Sequence, residues 1–455
     1  MKKIITIALL LVSVIADAQL QQLKVSANKR FFQTANGKPF FWLGDTGWLL
    51  FIKCNREEAI KYLDNRKEKG FNVIQVMVVH DLNQGVNAYG DSSLHNKDVS
   101  KPFTTAGNSF DNATEYDFWD HVDFVINEAE KRGIYMALVP IWGGNIKRVN
   151  EEQAKAYATF LANRYKNKSN IIWLNGGDIR GSEGLKQWQM IGKTIRSIDK
   201  NHLIGFHPRG RFSSSEWFHN EAWLDFNMFQ SGHKRYDQDT VSTEKLHYGE
   251  DNWKYVEYDY KLKPTKPTLD GEPSYEGIPQ GLHDSAEVRW KAEDVRRYAY
   301  WDVFAGGAGY TYGDNAVMQF HRKGNKDNSF GVTENWEDEI NAPGAGQMKY
   351  VKELMLSKSY FDRVPDQSLV MDNGEKYERV IATRGTGYAL FYVYTGRDFT
   401  VAMSKLNFKP AKAKWYSPVD GQVLPVTDYK YAATKTFDPP GEKANGNDWV
   451  LILEK

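Results

Sequence analysis

The chain has 455 residues, and its 59 Lys and Arg balance 58 Asp and Glu to a formal net charge of +1 at pH 7. No basic block interleaves with aromatic side chains, which argues against nucleic acid as a partner. Cys54 is the only cysteine, so no disulfide framework is possible, and a chain of this length buries enough apolar surface without one. We interpret Cys54 as a small buried residue.

The first 18 residues are predicted to form a signal peptide. Lys2 and Lys3 precede an apolar run over residues 4–16, and Ala16-Asp17-Ala18 supplies the small residues that a signal peptidase reads. The run is too short to span a bilayer comfortably. We therefore expect a mature chain that begins near Gln19, is periplasmic or secreted, and has no membrane span.

A small hairpin is predicted ahead of the main domain. Residues 23–40 contain two short apolar runs around Asn36-Gly37, a dipeptide that favours a tight turn between strands. We expect this hairpin to form a lid on the N-terminal end of the domain that follows.

Eight strand-like runs then alternate with helical patterns. The first covers residues 40–48 and is followed by Asn55-Arg-Glu-Glu58, the pattern of a capping box at a helix N-terminus. The seven later runs are 72–79, 135–142, 170–174, 203–207, 225–230, 267–271 and 306–312, with helical patterns such as 119–132, 151–165, 185–198 and 286–304 between them. Apolar strands separated by helices predict an α/β fold, a closed (β/α)8 TIM barrel. An open doubly wound sheet is the alternative, but no Gly-x-Gly-x-x-Gly turn follows the first strand.

The pattern changes after a last helical run at 348–356. Five short strand-like runs follow, at 379–383, 388–394, 399–403, 412–416 and 449–453, with turn glycines between them. They predict a smaller antiparallel β-sandwich. We therefore divide the chain into a signal peptide (1–18), a catalytic barrel with its hairpin (19–362) and an accessory sandwich without catalytic residues (363–455).

Two acidic residues lie at the ends of predicted barrel strands. Asp178 closes Asn170-Ile-Ile-Trp-Leu-Asn-Gly-Gly-Asp178, and Glu272 closes Pro267-Thr-Leu-Asp-Gly-Glu272. Barrel enzymes place their chemistry at the carboxyl ends of strands, and glycoside hydrolysis needs two carboxyl groups facing each other across a sugar. The alternative for Asp178 is a helix N-cap, and for Glu272 a salt-bridged strand end with Glu276 as competitor. Asp270 is a candidate for a contact to an arginine.

Other residues at predicted strand ends are expected to bind the sugar. A ligand rich in hydroxyl groups needs donors and acceptors beside one or two aromatic rings. The candidates are Asp45, His80, Trp142, Asn175, His207, Gln230 and His233. Asn175 is favoured among them, because an amide near the acid/base can donate to a hydroxyl next to the anomeric carbon. For the histidines and Trp142, a structural role is the alternative.

Several long motifs resemble those of the apiosidase-like glycoside hydrolases. They are residues 38–48, 170–178 and 269–276, and the tail segments 437–441 and 447–451. The resemblance implies a barrel followed by a sandwich of the collagen-binding type, activity on apiose-containing side chains of the pectin rhamnogalacturonan II, and a catalytic pair at Asp178 and Glu272. We assign Asp178 as acid/base and Glu272 as nucleophile of a retaining reaction. Asn175-Gly-Gly-Asp178 departs from the Asn-Glu that relatives in the wider clan carry after the fourth strand.

Three other functions are alternatives to this one. A metal-dependent hydrolase would use His80, Asp81, His207 and His233, but no His-x-His or His-Glu-x-x-His spacing appears, so we expect no metal and no cofactor. A non-catalytic carbohydrate-binding protein would lose a carboxylate, whereas both are present. A barrel glycosidase acting on a β-glucan or β-galactoside is the main alternative, since one fold hosts many specificities. The expected partner is an oligosaccharide or polysaccharide.

Overall fold

The computed structural model describes residues 20–83, 85–240, 246–326 and 328–455, so the predicted signal peptide lies outside the described residues. An antiparallel sheet comes first, with strands β1 (Leu23–Val25), β2 (Phe32–Thr34) and β3 (Pro39–Phe40). Gly37 makes the turn between β2 and β3 at a φ of +83°. Phe32 packs edge-on against Phe226 and Phe40 against Tyr135, both at the start of barrel strands. The hairpin thus covers the N-terminal end of the barrel.

Within the described residues, nine strands form one nearly closed sheet, and eight of them correspond to the predicted runs. In chain order they are β4 (Trp42–Thr46), β5 (Val73–Val79), β6 (Tyr135–Ile141), β7 (Ile171–Ile179), β8 (Ile204–Pro208), β9 (Phe212–Ser213), β10 (Asn227–Gln230), β11 (Thr268–Asp270) and β12 (Gly309–Tyr312). The sheet runs β8-β7-β6-β5-β4-β12-β11-β10-β9, and its pairs are parallel apart from β9 with β10.

The ring closes between β8 and β10. There the backbone amide of Asp225, just before β10, donates to the carbonyl of Ile204 at 2.8 Å. A strand order that returns to its start is that of a TIM barrel, so the predicted fold is confirmed and the doubly wound alternative is wrong.

Helices follow most of the barrel strands. They are α1 (Leu50–Lys53), α2 (Arg56–Glu68), α3 (Phe118–Lys131), α4 (Glu151–Tyr165), α5 (Leu185–Ile198), α6 (Ser215–Phe218), α7 (Asn252–Lys261), α8 (Ala292–Phe304), α9 (Asn315–Met318), α10 (Trp336–Glu339) and α11 (Pro343–Leu356). The predicted capping box of α2 is formed, with Asn55 accepting from the Glu58 amide. Helix α8 begins at Ala292 and not at Ala286. Among the described residues, none of the helices is long and apolar enough to cross a membrane.

The C-terminal part of the chain is antiparallel, as predicted. Its strands are β13 (Val364–Pro365), β14 (Val380–Gly385), β15 (Tyr388–Val393), β16 (Phe399–Val401), β17 (Lys412–Tyr416), β18 (Val423–Pro425), β19 (Lys435–Phe437) and β20 (Trp449–Glu454). The larger sheet has the order β13-β14-β15-β20-β17-β18, and β16 pairs with β19.

The larger C-terminal sheet is buried on both faces. On one face Phe391 and Trp415 pack against Phe399 of β16. On the other face Tyr392 stacks on Tyr300 of α8, with ring centres 4.7 Å apart and an interplanar angle of 10°. The strands therefore alternate between a core of their own and a core shared with the barrel.

Candidate active site

A cleft with a volume of about 940 Å³ opens at the carboxyl ends of the barrel strands. Both predicted catalytic residues, Asp178 and Glu272, contribute to its wall. Asn83, Val86 and Asn87, from the long loop after β5, form part of the rim. The volume lies within the range of pockets that bind small ligands and short oligomers.

Glu272 follows the short strand β11 and is held by two histidines. His233 Nε2 lies 3.2 Å from its Oε1, and His207 Nε2 lies 3.2 Å from its Oε2. Burial alone raises the pKa of a carboxyl group, but interactions with the two neighbouring imidazoles, a hydrogen bond with His233 among them, outweigh it and lower the pKa of Glu272 to about 2. Glu272 is therefore ionised at neutral pH, as a nucleophile must be.

The proton position on His207 follows from its other nitrogen. His207 Nδ1 lies 3.5 Å from the backbone N–H of Asp178, which can only donate. Nδ1 accepts in this contact, so a ring proton is placed on Nε2, the atom that faces Glu272. His207 thus contacts both predicted catalytic residues, the backbone of Asp178 and the carboxylate of Glu272.

Asp178 reaches the cleft because the end of β7 is irregular. The ladder between β7 and β8 shifts between Gly176 and Ile179, and φ is +96° at Gly176, +105° at Gly177 and +46° at Asp178. A Cβ on Gly177 would lie 2.5 Å from the ring of Trp142, so the site requires glycine there. The bulge aims the Asp178 side chain into the cleft. Helix α5 begins later, after Gly184, so the N-cap alternative for Asp178 is wrong.

The surroundings of Asp178 favour its protonated form. Its side chain is open to the cleft, but the walls of the cleft limit its hydration. This desolvation, followed by the negative charge of Glu272, raises the pKa of Asp178 to about 6, with His207 and His233 opposing the shift. Between about pH 2 and about pH 6, one carboxyl group is thus ionised while its neighbour retains a proton.

Aromatic rings surround the carboxylate of Glu272. Trp48 lies 5.2 Å from Trp142 and 5.2 Å from His207 between ring centres, and its indole N–H donates to Tyr275 Oη at 3.2 Å. The ring of Tyr275 contacts His233 at 4.8 Å. Burial, and then the charge of Glu272, raises the pKa of Tyr275 well above its ordinary value, so this hydroxyl stays protonated.

Trp48 and Tyr275 were not predicted as site residues, although the sequence carried a signal for each. Tyr275 lies three residues after Glu272, and Trp48 lies two residues after the end of β4. Both positions belong to the motifs that end at the carboxyl rim. Their positions close to predicted strand ends could therefore have identified Trp48 and Tyr275 as site residues.

Four other predicted binding residues also contribute to the cleft wall. They are His80, Trp142, Gln230 and His233. Gln230 ends β10, and its buried Oε1 has no hydrogen-bond partner among the described residues, so it is available to a sugar hydroxyl. The ring of His80 lies 3.1 Å from Met77 Sδ. His207 lies behind the wall, in contact with Glu272.

The structure does not bring Asp45 and Asn175 into the cleft. The carboxylate of Asp45 is buried against α2, where Oδ2 accepts from Arg66 Nε at 2.6 Å and from the Tyr62 hydroxyl. The amide of Asn175 donates to the carbonyl of Trp188 in α5 at 2.8 Å. Successive side chains of a strand point to opposite faces, and these two face the surrounding helices. Their assignment as sugar-binding residues is corrected accordingly.

The two acidic neighbours of Glu272 are engaged elsewhere. Glu276 accepts from the Tyr312 hydroxyl at 2.6 Å and from the backbone N–H of Gly344 at 3.1 Å, which ties it to the start of α11. Asp270 is buried and accepts from Ser231 Oγ at 2.6 Å, so the expected arginine is not its partner here. Glu272 is thus the acidic residue of this segment that contributes to the cleft.

No group of three or more His, Cys, Asp and Glu side chains is arranged to hold a metal ion in the part of the chain that the structure describes. His207 and His233 both direct Nε2 towards Glu272.

A TIM barrel with two carboxyl groups at its strand ends defines a glycoside hydrolase of the barrel type. Residues 26–362 match the family model "Apiosidase-like, catalytic domain". The chain belongs to this apiosidase-like family. Residues 364–454 match a second family model, "Putative collagen-binding domain of a collagenase".

Two solved structures are similar over almost their full length. One, described as a glycoside hydrolase, is 45% identical, has a TM-score of 0.89 and covers 96% of this chain and 97% of its own. The other, a glycoside hydrolase of family 5 from Bacteroides vulgatus ATCC 8482, is also 45% identical, with a TM-score of 0.88 and coverage of 95% and 93%. A search of curated proteins finds no match. The predicted enzyme class, a glycoside hydrolase, is confirmed.

Proposed function

We propose that this glycoside hydrolase is an apiosidase that acts on apiose-containing side chains of the pectin rhamnogalacturonan II. The proposal is supported by the match of residues 26–362 to the apiosidase-like family and by the motifs at 38–48, 170–178 and 269–276. Polar groups around a cleft of about 940 Å³ suit a ligand rich in hydroxyl groups.

The proposed reaction is a retaining double displacement. Glu272 attacks the anomeric carbon and forms a glycosyl ester, while Asp178 transfers its proton to the leaving oxygen. Asp178 then accepts a proton from water, and the water oxygen attacks the anomeric carbon and releases Glu272 as a carboxylate. The observation that carries this assignment is the contrast in pKa, about 2 for Glu272 and about 6 for Asp178.

The histidines are proposed to act on Glu272 and not on the sugar directly. Each presents Nε2 at 3.2 Å from one carboxylate oxygen, which fixes the plane of the carboxylate as well as its charge. Among the predicted binding residues, His80, Trp142 and Gln230 are the other wall residues that can contact the sugar. Such positioning lowers the barrier because the reacting atoms are already aligned when the substrate binds.

Substrate identity is tested by incubating the enzyme with rhamnogalacturonan II and with a panel of pectic and glucan oligosaccharides. We expect release of apiose, or of products that end in apiose, from the pectin alone. Degradation of a β-glucan or β-galactoside without any product from rhamnogalacturonan II would replace the proposed specificity with the alternative one.

The catalytic pair is tested with Glu272→Gln and Asp178→Asn. Each change is nearly isosteric and should lower kcat by about 10²- to 10⁴-fold, because it removes a nucleophile or a transferable proton. Azide should restore part of the activity of Glu272→Gly and yield a glycosyl azide of inverted configuration. Near-normal turnover in either isosteric variant would remove that residue from the pair, and a first product of inverted configuration would exclude the covalent intermediate.

We also infer that the enzyme is exported to the periplasm or beyond the cell. The support is the charged, apolar and small-residue pattern of residues 1–18. Sequencing the N-terminus of the protein recovered outside the cytoplasm should give a start near Gln19. Recovery of the intact N-terminus from the cytoplasm alone would contradict export.

A further inference from the structure

A segment of the C-terminal domain, residues 376–379, contacts the connection between β10 and α7. The hydroxyl of Tyr377 lies 3.0 Å from Glu250 Oε2 and 3.1 Å from Oε1. Its ring lies 5.5 Å from the ring of Tyr236, and Lys376 Nζ lies 5.1 Å from the same ring. This connection begins at the cleft, since it includes His233.

The carboxylate of Glu250 is buried at the contact between the two domains and has hydrogen-bond partners in both. Its Oε1 accepts from the backbone N–H of Tyr236 at 2.8 Å, and its Oε2 accepts from Arg297 Nη2 at 2.8 Å. Arg297 is fully buried, and its guanidinium lies 4.8 Å from the ring of Tyr377 and 5.2 Å from the ring of Tyr394. Arg297 Nε and Nη1 have no hydrogen-bond partner among the described residues, so the rings of Tyr377 and Tyr394 give the C-terminal domain a direct part in stabilising this buried charge.

Glu250 is connected to the active site through Tyr236. Tyr236, whose amide Glu250 holds, is three residues after His233. The carbonyl of His233 accepts from the amide of Gly281 at 2.7 Å and from the indole of Trp290 at 3.1 Å. The segment is therefore held at two points, and the cleft side of it presents the His233 imidazole to Glu272 at 3.2 Å.

We propose that Tyr377 is a positioning residue for the reaction, which acts through Glu250 and the backbone of Tyr236 to hold His233 against Glu272. The inference rests on the proposed role of Glu272 as nucleophile. It gives the C-terminal domain a part in catalysis although that domain supplies no group to the cleft. The alternative is that Tyr377 contributes to stability alone.

The effect of a change at Tyr377 on the pKa of Glu272 depends on the groups that face Glu272. They are His207, His233, Asp178 and Tyr275. When His233 moves away, Glu272 loses one of its two imidazole donors while burial and the acidic neighbour remain. The nucleophile then binds its proton more readily, and the acid limb of activity moves to higher pH.

The test compares Tyr377→Phe with Tyr416→Phe. Both variants remove one hydroxyl from the C-terminal domain, and both hydroxyls bond to the barrel, but that of Tyr416 donates to the carbonyl of Tyr350 in α11. We expect Tyr377→Phe to lower kcat by about tenfold and to shift the acid limb of kcat/KM upwards, while Tyr416→Phe leaves both at the wild-type value. Thermal unfolding of both variants establishes that each is folded.

A second measurement does not depend on turnover. Amide hydrogen exchange over residues 231–240 should be faster in Tyr377→Phe than in the wild type or Tyr416→Phe, because the Tyr236 anchor is loosened. If exchange is faster in Tyr377→Phe but Glu272→Gln remains active, the assigned nucleophile is wrong, and Tyr377 then has no nucleophile to position. Unchanged exchange and an unchanged acid limb in folded Tyr377→Phe would overturn the positioning role while leaving the proposed function intact.

Discussion

The two carboxyl groups of the cleft differ in pKa because their surroundings differ. Glu272 faces two imidazole donors, which stabilise its charge despite burial. Asp178 is poorly hydrated and faces the charge of Glu272, which destabilises its own charge. A difference of this kind supports the proposed roles, with Asp178 as acid and Glu272 as nucleophile, independently of their positions in the sequence.

The pH dependence of the reaction follows from this difference. The active form has Glu272 ionised and Asp178 protonated, so kcat/KM should fall as pH rises through about 6 and again as pH approaches about 2. Because the two carboxyl groups interact, the apparent pKa values of the two limbs belong to the pair and not to either residue alone. Initial rates across the range measure the profile. Activity that still increases above neutral pH would contradict Asp178 as the proton donor, whereas Asp178→Asn with an activated aryl glycoside should lose the basic limb.

Asp45 is important for stability and not for sugar binding. It forms a fully buried ion pair with Arg66, whose guanidinium would be left without a counter-charge in Asp45→Asn. We expect this variant to lose about 3–5 kcal/mol in the free energy of unfolding, with KM unchanged. Denaturant unfolding measures the loss. The exposed pair Lys61–Glu337 provides the control, since Glu337→Gln should cost only about 0–1 kcal/mol.

The end of β7 is the element that places Asp178, the proposed acid/base. Three successive residues, Gly176, Gly177 and Asp178, have φ between +46° and +105°. Such a run is costly for residues with a Cβ, and the two glycines remove most of the cost. The strain that remains at Asp178 lies where the side chain must turn into the cleft, as is common at functional positions.

Gly177→Ala tests this element. The added methyl group would lie 2.5 Å from Trp142, so we expect Asp178 or Trp142 to move and kcat to fall by at least about tenfold. Gly133→Ala is the matched control, because Gly133 also has a positive φ, +77°, but nothing lies within 4 Å of the added carbon. Gly133→Ala should lose about 1–2 kcal/mol of stability, and Gly177→Ala should lose more, because the clash with Trp142 adds to the backbone strain. Equal kinetics in the two variants would show that the contact with Trp142 has no role in placing Asp178.

The two domains share a core, so we expect them to fold as one unit. Tyr392 stacks on Tyr300, and Asp448 accepts from Arg296 at 2.7 Å through a contact that is buried on both sides. An interface built from apolar rings and a buried ion pair resembles a domain core more than a transient contact.

Deletion of residues 364–455 tests this unity. The deletion exposes Tyr300 and leaves Arg296 without its carboxylate, so the barrel alone should be aggregation-prone or unfold at a lower temperature. The full chain should unfold in a single transition in calorimetry. A soluble barrel with the melting temperature of the full chain would show that the domains are independent.

The fold and the presence of Asp178 and Glu272 at the cleft could be predicted from the sequence because their signals are local. The barrel strands contain apolar runs bounded by turn residues; Asp178 lies near the end of β7, and Glu272 lies two residues after the end of β11. The choice among the other polar residues failed at Asp45 and Asn175, since both face helices. The direction of a side chain depends on strand parity and on bulges, and neither is visible in the apolar pattern.

The sequence by itself thus determined the barrel, the antiparallel C-terminal domain and the two strand ends that carry acidic residues. Only the tertiary structure decided which residues surround Glu272 and how the two carboxyl groups differ in pKa. His207 of β8 and His233 of the loop after β10 both approach Glu272, and the C-terminal domain reaches the same region through Tyr377 and Glu250. Proton affinity depends on distances between groups far apart in the chain, and those distances exist only once the barrel has closed.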